Sequence, residues 1–234
     1  MNAFDHVMID FILKYFNRSY YLFYMVEFMT EDNLLKGGVV VMIFWYLWFK
    51  TDPAISEKRV QLVATLISVF FVMVITLSLS GLVPFRQRPF LNQDFNFTPL
   101  IPDYGYLKNM SSFPSDHAAL FMSLATGFLF VSRKTGIIVT LFVFIYILFP
   151  RFYMGYHYPT DLLAGALIGV FITTLFIRSE AIKNIISKRI IPFSEDYPAY
   201  FYSFLFLFTY QIADLFGGCR DILSFIHQLY KHKF

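Results

Sequence analysis

Long apolar runs broken by short polar clusters organise this chain. The stretches 15–30, 34–50, 60–83, 116–132, 136–154 and 160–177 approach the roughly 20 residues that a helix needs to cross a hydrocarbon core of about 30 Å. Asn17, Arg18 and Glu27 interrupt the first of them, the weakest of the six. An amphipathic helix over 4–14 is expected to precede it along the membrane surface. A further apolar stretch at 198–216 reads as an interfacial or docked segment, because a seventh span would put Arg220, Lys231 and Lys233 on the side where cations are disfavoured. The only long connection between spans is 84–113, which is rich in Pro, Asn and Asp and therefore irregular. The pattern predicts an all-α, polytopic membrane helical bundle with about six transmembrane helices. It assigns residues 1–177 to that domain and 178–234 to a C-terminal extension.

Composition agrees with lipid burial. The chain has 234 residues, 57% hydrophobic and only 15% charged, where a soluble domain carries about 25%. A net charge of +3 is too small and too scattered to suggest a nucleic-acid partner. A single cysteine, Cys219, allows no intramolecular disulfide. No small-residue cleavage site follows a short apolar core, so no removable signal peptide is read.

Charge orients the bundle. Lys50, Lys58, Arg59, Arg133, Lys134, Arg178, Lys183, Lys188 and Arg189 fall on one side if six spans alternate. By the positive-inside rule that side is the cytoplasm. Lys36, Lys108, Arg86, Arg88 and Arg151 fall on the other side, at the outer membrane–water interface.

The outward-facing residues include three clusters that carry chemistry: Arg86-Gln87-Arg88-Pro89, Pro114-Ser115-Asp116-His117, and Arg151 with His157 and Asp161. Arginine stays charged and donates two parallel hydrogen bonds, which suits phosphate. In an extended segment Arg86 and Arg88 point roughly the same way. Ser115 reads as an N-cap with Asp116 in the first turn, and helix starts offer free N–H groups to phosphate oxygens. Pro159 suits the first position of a helix, which places Asp161 one turn in and His157 just before it. A carboxylate so placed can orient one imidazole nitrogen and leave the other as a nucleophile. Read alone, the same residues also admit helix caps beside an interfacial histidine, or a zinc site made of two His and an Asp.

Taken in order, the clusters resemble the signature of the type 2 phosphatidic acid phosphatase superfamily, Lys-x(6)-Arg-Pro, Pro-Ser-Gly-His and Ser-Arg-x(5)-His-x(3)-Asp. Here the pattern stands as Gly81-x(6)-Arg88-Pro89, Pro114-Ser115-Asp116-His117 and Pro150-Arg151-x(5)-His157-x(3)-Asp161. Gly81 replaces a lysine, Asp116 a glycine and Pro150 a serine. The lysine-free first motif with Pro-Ser-Asp-His is similar to the bacitracin-resistance branch, the bacterial undecaprenyl pyrophosphate phosphatases.

That resemblance implies a multi-pass protein of the bacterial inner membrane whose site faces the periplasm or cell exterior. It implies an isoprenoid lipid pyrophosphate as substrate, membrane lipids as surroundings, and no cofactor. It makes His157 the nucleophile, His117 the acid and base, and Asp161 the group that orients His157. Phosphate binding falls to Arg88, Arg151, Ser115 and the amides near Asp116. Arg86 either replaces the missing lysine or binds the inner phosphate. Phosphatidic acid or phosphatidylglycerol phosphate hydrolysis, lipid phosphotransfer, and non-catalytic lipid binding or transport are the alternatives.

Overall fold

The structure, a computed structural model, describes residues 2–15, 20–95, 97 and 105–219. Asn17, Arg18, Arg220, Lys231 and Lys233, on which parts of the sequence reading rest, lie outside the described residues. Among the described residues every regular element is a helix. The elements are α1 (Ala3–Tyr15), α2 (Tyr20–Glu31), α3 (Leu34–Phe49), α4 (Ile55–Leu82), α5 (Asp116–Val131), α6 (Arg133–Tyr153), α7 (Pro159–Arg178), α8 (180–196) and α9 (Pro198–Ala213). Three of them, α4, α6 and α7, are long and apolar enough to cross a membrane, while α3 and α5 are shorter apolar helices.

α5 is the axis of the bundle. It buries 13 of its 16 residues, so at about 24 Å long it is enclosed by protein rather than matched to lipid. α7 approaches it closely because Gly165 and Gly169 lie one turn apart on the same face. A side chain at Gly165 would strike the carbonyl of Ser115, and one at Gly169 the carbonyl of Ala119. This small-residue seam brings the two backbones together as in membrane helix pairs. Midway along the bundle, Ser123 of α5 and Thr173 of α7 hydrogen-bond at 2.5 Å, and Ser68 of α4 meets Thr173 at 2.9 Å. Hydroxyls that find one another lower the cost of polar groups in an apolar interior. Outward, Phe70, Val74, Ile138, Ile145, Leu167, Phe171 and Leu175 present an exposed apolar belt.

The described part of the first expected span is α2. α2 has 12 residues, about 18 Å, which is too short to cross on its own. Its Phe23 and Val26 pack with Ile12 of α1 and with Leu107, Tyr153, Met154 and Tyr156. Its C-terminal end, Glu31 followed by Asp32, falls one residue past the expected end of the span. α1 and α2 therefore cover one end of the bundle.

The C-terminal segment joins the same core. Ile186, Ile191, Phe201, Leu205, Ile212 and Leu215 belong to the main hydrophobic cluster with α3, α4 and α5. α9 runs antiparallel to α3, with Tyr202 donated to by the Trp48 indole (3.1 Å) at one end and Ala213 backed against Gly37 at the other. Leu215 and Phe216, at φ 55° and 57°, then turn the chain over that second end.

The starts of α3, α5 and α7 and the ends of α4, α6 and α9 gather at this end. Arg59, stacked on Trp48, and Arg178, over Phe130, mark the opposite end.

Candidate active site

A cavity of roughly 610 Å³ opens at the gathered end, lined by Lys36, Arg88, Asp116, His117, Arg151 and His157, with Thr30, Glu31, Asn33, Asp214 and Gly217 among the other lining residues. Each of the central side chains is delivered by a helix boundary. Ser115 caps α5, its hydroxyl accepting from the Ala118 amide at 3.4 Å, and so places Asp116 and His117 in the first turn. Pro159 opens α7, and the Asp161 carboxylate accepts from the Tyr158 amide at 2.9 Å, which closes the turn that holds His157. The two helix starts are tied directly, since the Ser115 amide donates to the Asp161 carbonyl at 3.1 Å. Gly155, at φ +68°, makes the turn between α6 and α7, and a side chain there would meet the Phe97 ring.

The hydrogen bonds assign both imidazole tautomers. His157 Nδ1 lies 2.8 Å from the Ser112 carbonyl oxygen, which can only accept. Nδ1 therefore carries the proton and Nε2 is the bare nitrogen, 3.4 Å from Arg88 Nη1. Burial first, and then the Arg88 cation, hold His157 well below the usual histidine range, so the ring is neutral at pH 7. His117 Nδ1 lies 2.7 Å from a carboxylate oxygen of Asp116, so it too bears the proton. Arg151 Nη2 donates to His117 Nε2 at 2.6 Å. Two neutral imidazoles thus turn bare Nε2 atoms towards neighbouring guanidinium groups.

The cations form the buried floor. Lys36, Arg88 and Arg151 are 2%, 6% and 9% exposed, whereas Glu31 lies on the exposed rim and Asp116 and Asp214 are half-buried. Arg88 donates to the Tyr156 carbonyl at 2.9 Å, and Arg151 to the Thr30 carbonyl at 3.3 Å. Asp214 at the rim accepts from Asn33 and from the Gly218 amide.

Three residues expected at the phosphate or at His157 are placed differently. Arg86 donates to Asp161, to Asp5 at 2.5 Å and to Thr160 at 2.9 Å, and lies 4.2 Å over the Tyr158 ring. It does not line the cavity, because two fully buried carboxylates outside that cavity claim its guanidinium. Ser115 is fully buried and spends its hydroxyl on the helix cap. The Asp161 carboxylate stands 3.9 Å from His157 Nδ1, and the Ser112 carbonyl holds the imidazole instead. Asp116 points its carboxylate at His117, as its own first-turn position and the adjacent imidazole dictate.

Sequence reasoning missed Ser112, Asp5 and Lys36. Lys36 was legible only as one of the outward cations; the other two carry no local signal. Among the described residues no three His, Cys, Asp or Glu side chains converge as metal ligands do.

Apolar helices around a cationic, two-histidine cavity define a membrane protein built to hold a phosphate-like anion at one end of its bundle. The chain belongs to the PAP2 superfamily, whose model matches residues 58–184. It is 29% identical over 140 residues to an undecaprenyl-diphosphatase of Sulfolobus acidocaldarius, covering 58% of this chain and 65% of that one. It is 26% identical over 144 residues to the putative undecaprenyl-diphosphatase YbjG of Escherichia coli, covering 61% and 66%. It is 30% identical over 151 residues to the undecaprenyl-diphosphatase BcrC of Bacillus subtilis, covering 64% and 71%. The chain thus spans just under two thirds of the length of the first two relatives. No solved structure matches it.

Proposed function

We propose that this protein hydrolyses an isoprenoid lipid pyrophosphate, undecaprenyl pyrophosphate in the first instance, at the outer face of the plasma membrane. The observation that carries the reading is the pair of bare Nε2 atoms, on His157 and His117, opening onto one cavity floored by buried cations. Three relatives named for undecaprenyl-diphosphatase activity support the choice of substrate.

In this mechanism His157 Nε2 attacks the terminal phosphorus and displaces the bridging oxygen. The P–O bond breaks as the P–N bond forms, leaving a phosphohistidine and a lipid monophosphate. Arg88 and Arg151 turn to the transferring phosphoryl oxygens, a mainly electrostatic role. Once Arg151 has turned away, His117 Nε2 takes up a proton and delivers it to the leaving oxygen. The same nitrogen then removes a proton from the water that cleaves the P–N bond and frees phosphate. Asp116 keeps the His117 proton on Nδ1 and faces Nε2 to the reaction. Asp161 acts on His157 at longer range and mainly through the backbone turn that it caps.

We assign the lipid tail to the apolar groove between α4 and α9, lined by Val74, Leu77, Leu207 and Phe216. It adjoins Leu215 and Gly217, which border the cavity.

The reading is tested by phosphate release from undecaprenyl pyrophosphate, farnesyl pyrophosphate, phosphatidic acid and phosphatidylglycerol phosphate, using the purified protein in detergent. Preference for the pyrophosphates, unchanged in EDTA, is expected. Preference for phosphatidic acid would replace the substrate, and rapid transfer to a lipid alcohol would replace hydrolysis.

A further inference from the structure

The first sequence motif lacks its lysine. Gly81 stands in its place, with open space around it, and Arg86 is taken up by Asp5 and Asp161. The cavity nevertheless contains a lysine, supplied from elsewhere in the chain. Lys36 sits in the π turn Leu34–Gly38 that opens α3, where Leu34 and Leu35 before it are exposed and Lys36 itself is only 2% exposed. Ammonium groups are among the last to be buried without compensation. Here the ammonium donates to the Thr30 carbonyl, and no carboxylate among the described residues comes within ion-pair distance of it.

Its place in the cavity is informative. The Thr30 carbonyl that Lys36 engages also accepts from Arg151, which in turn reaches His117. Lys36 therefore belongs to the His117 side of the cavity, whereas Arg88 stands beside His157. In an in-line displacement the nucleophile and the departing oxygen lie on opposite sides of the phosphorus. The departing group is thus next to His117, Arg151 and Lys36.

Resting on the hydrolase reading above, we propose that Lys36 binds the inner phosphoryl group of a pyrophosphate substrate, the one that leaves with the lipid. A monoester such as phosphatidic acid has no charged group at that position, so Lys36 distinguishes diphosphates from monophosphates. A point-charge donor on a flexible stem suits this role, since it can leave the Thr30 carbonyl for a phosphoryl oxygen without backbone movement.

The test is binding, which is independent of turnover. Affinities for methylenediphosphonate and for inorganic phosphate are measured by titration in detergent for the unaltered protein, K36M and K36R. The unaltered protein is expected to prefer the diphosphonate. K36M should bind it about 10- to 100-fold more weakly, as loss of a charged hydrogen bond implies, with phosphate affinity changed less than about threefold. K36R should retain most of the preference. If K36M does not survive extraction, K36Q keeps a donor to the Thr30 carbonyl while removing the charge, and the same selective loss is expected. A diphosphonate affinity unmoved by K36M or K36Q, or equal losses for both anions, would overturn the proposal. So would an unaltered protein with no preference between the anions. Selective loss in a protein that hydrolyses no pyrophosphate would uphold the Lys36 site and overturn the enzymatic reading alone.

Discussion

Two charged clusters lie side by side at the same end of the bundle and are built on opposite terms. In one, Arg86 binds Asp5 and Asp161, both fully buried, while Thr160 closes the ring with its amide (3.1 Å) and hydroxyl (2.6 Å) on Asp5. Every charge there faces an opposite charge. In the other, Arg88 donates to the Tyr156 carbonyl beside His157, Arg151 to the Thr30 carbonyl and His117, and Lys36 to the same Thr30 carbonyl. A buried cation positioned by dipoles keeps its attraction for an arriving anion, and low dielectric strengthens that attraction. The first cluster fastens α1 to the start of α7, and the second lines the cavity to which we assign phosphate. Charge alone does not mark a binding site; the setting of each charge, in a cavity or outside it, tells the two clusters apart.

The sharpest test removes the reacting atom from the open cluster. His157→Ala should lower turnover by at least about 10³-fold, in line with loss of a nucleophile, while the melting temperature in detergent stays close to that of the parent. Residual phosphate release within tenfold of the parent would take the nucleophile from His157.

The closed cluster should answer in stability. Arg86→Ala leaves two buried carboxylates facing each other without their cation, a change that costs about 3–5 kcal/mol in comparable buried pairs. Its thermal midpoint should fall steeply, and its losses on pyrophosphate and monoester substrates should be equal. A stable variant selectively impaired on pyrophosphates would move Arg86 into the phosphate site.

Asp116→Asn tests the hold on the His117 tautomer. The amide is a weaker and reversible partner for His117 Nδ1, so kcat should fall about 10- to 100-fold, the range of general acid–base contributions at the low end, with KM little changed. A KM effect alone would make Asp116 a contact of the substrate.

The smallest signal is a position on the pH axis. Arg88 disfavours the imidazolium form of His157 and so helps to hold its titration low. Activity needs the unprotonated Nε2, so the acid limb of kcat/KM follows that titration. Arg88→Gln removes the opposing charge, raises the His157 value and should move the acid limb to higher pH. A movement to lower pH, or none, would separate Arg88 from His157.

Much of the architecture was legible in the chain. Apolar runs forecast α3 to α7, Ser115 and Pro159 marked the starts of the helices that carry the site, and the family resemblance implied that Arg88, His117, Arg151 and His157 share one cavity, which they line. The helices and their starts depend on neighbours a turn or two away, where caps and periodicity are decided. Of the first apolar stretch, 16–19 lie outside the described residues and α2 takes up 20–30.

What only the tertiary structure decided was where each charge lies and what it faces. Arg86 and Arg88 stand two residues apart and an extended strand would align them, yet Arg86 pairs with Asp5, 81 positions away, while Arg88 lines the cavity. Lys36 carries no motif and enters the site only because α3 starts beside Thr30 and α6 ends there with Arg151. Helix formation and burial are settled by local pattern and composition. The pairing of buried charges is settled by distances between elements far apart in the chain, and those distances exist only after the helices have packed.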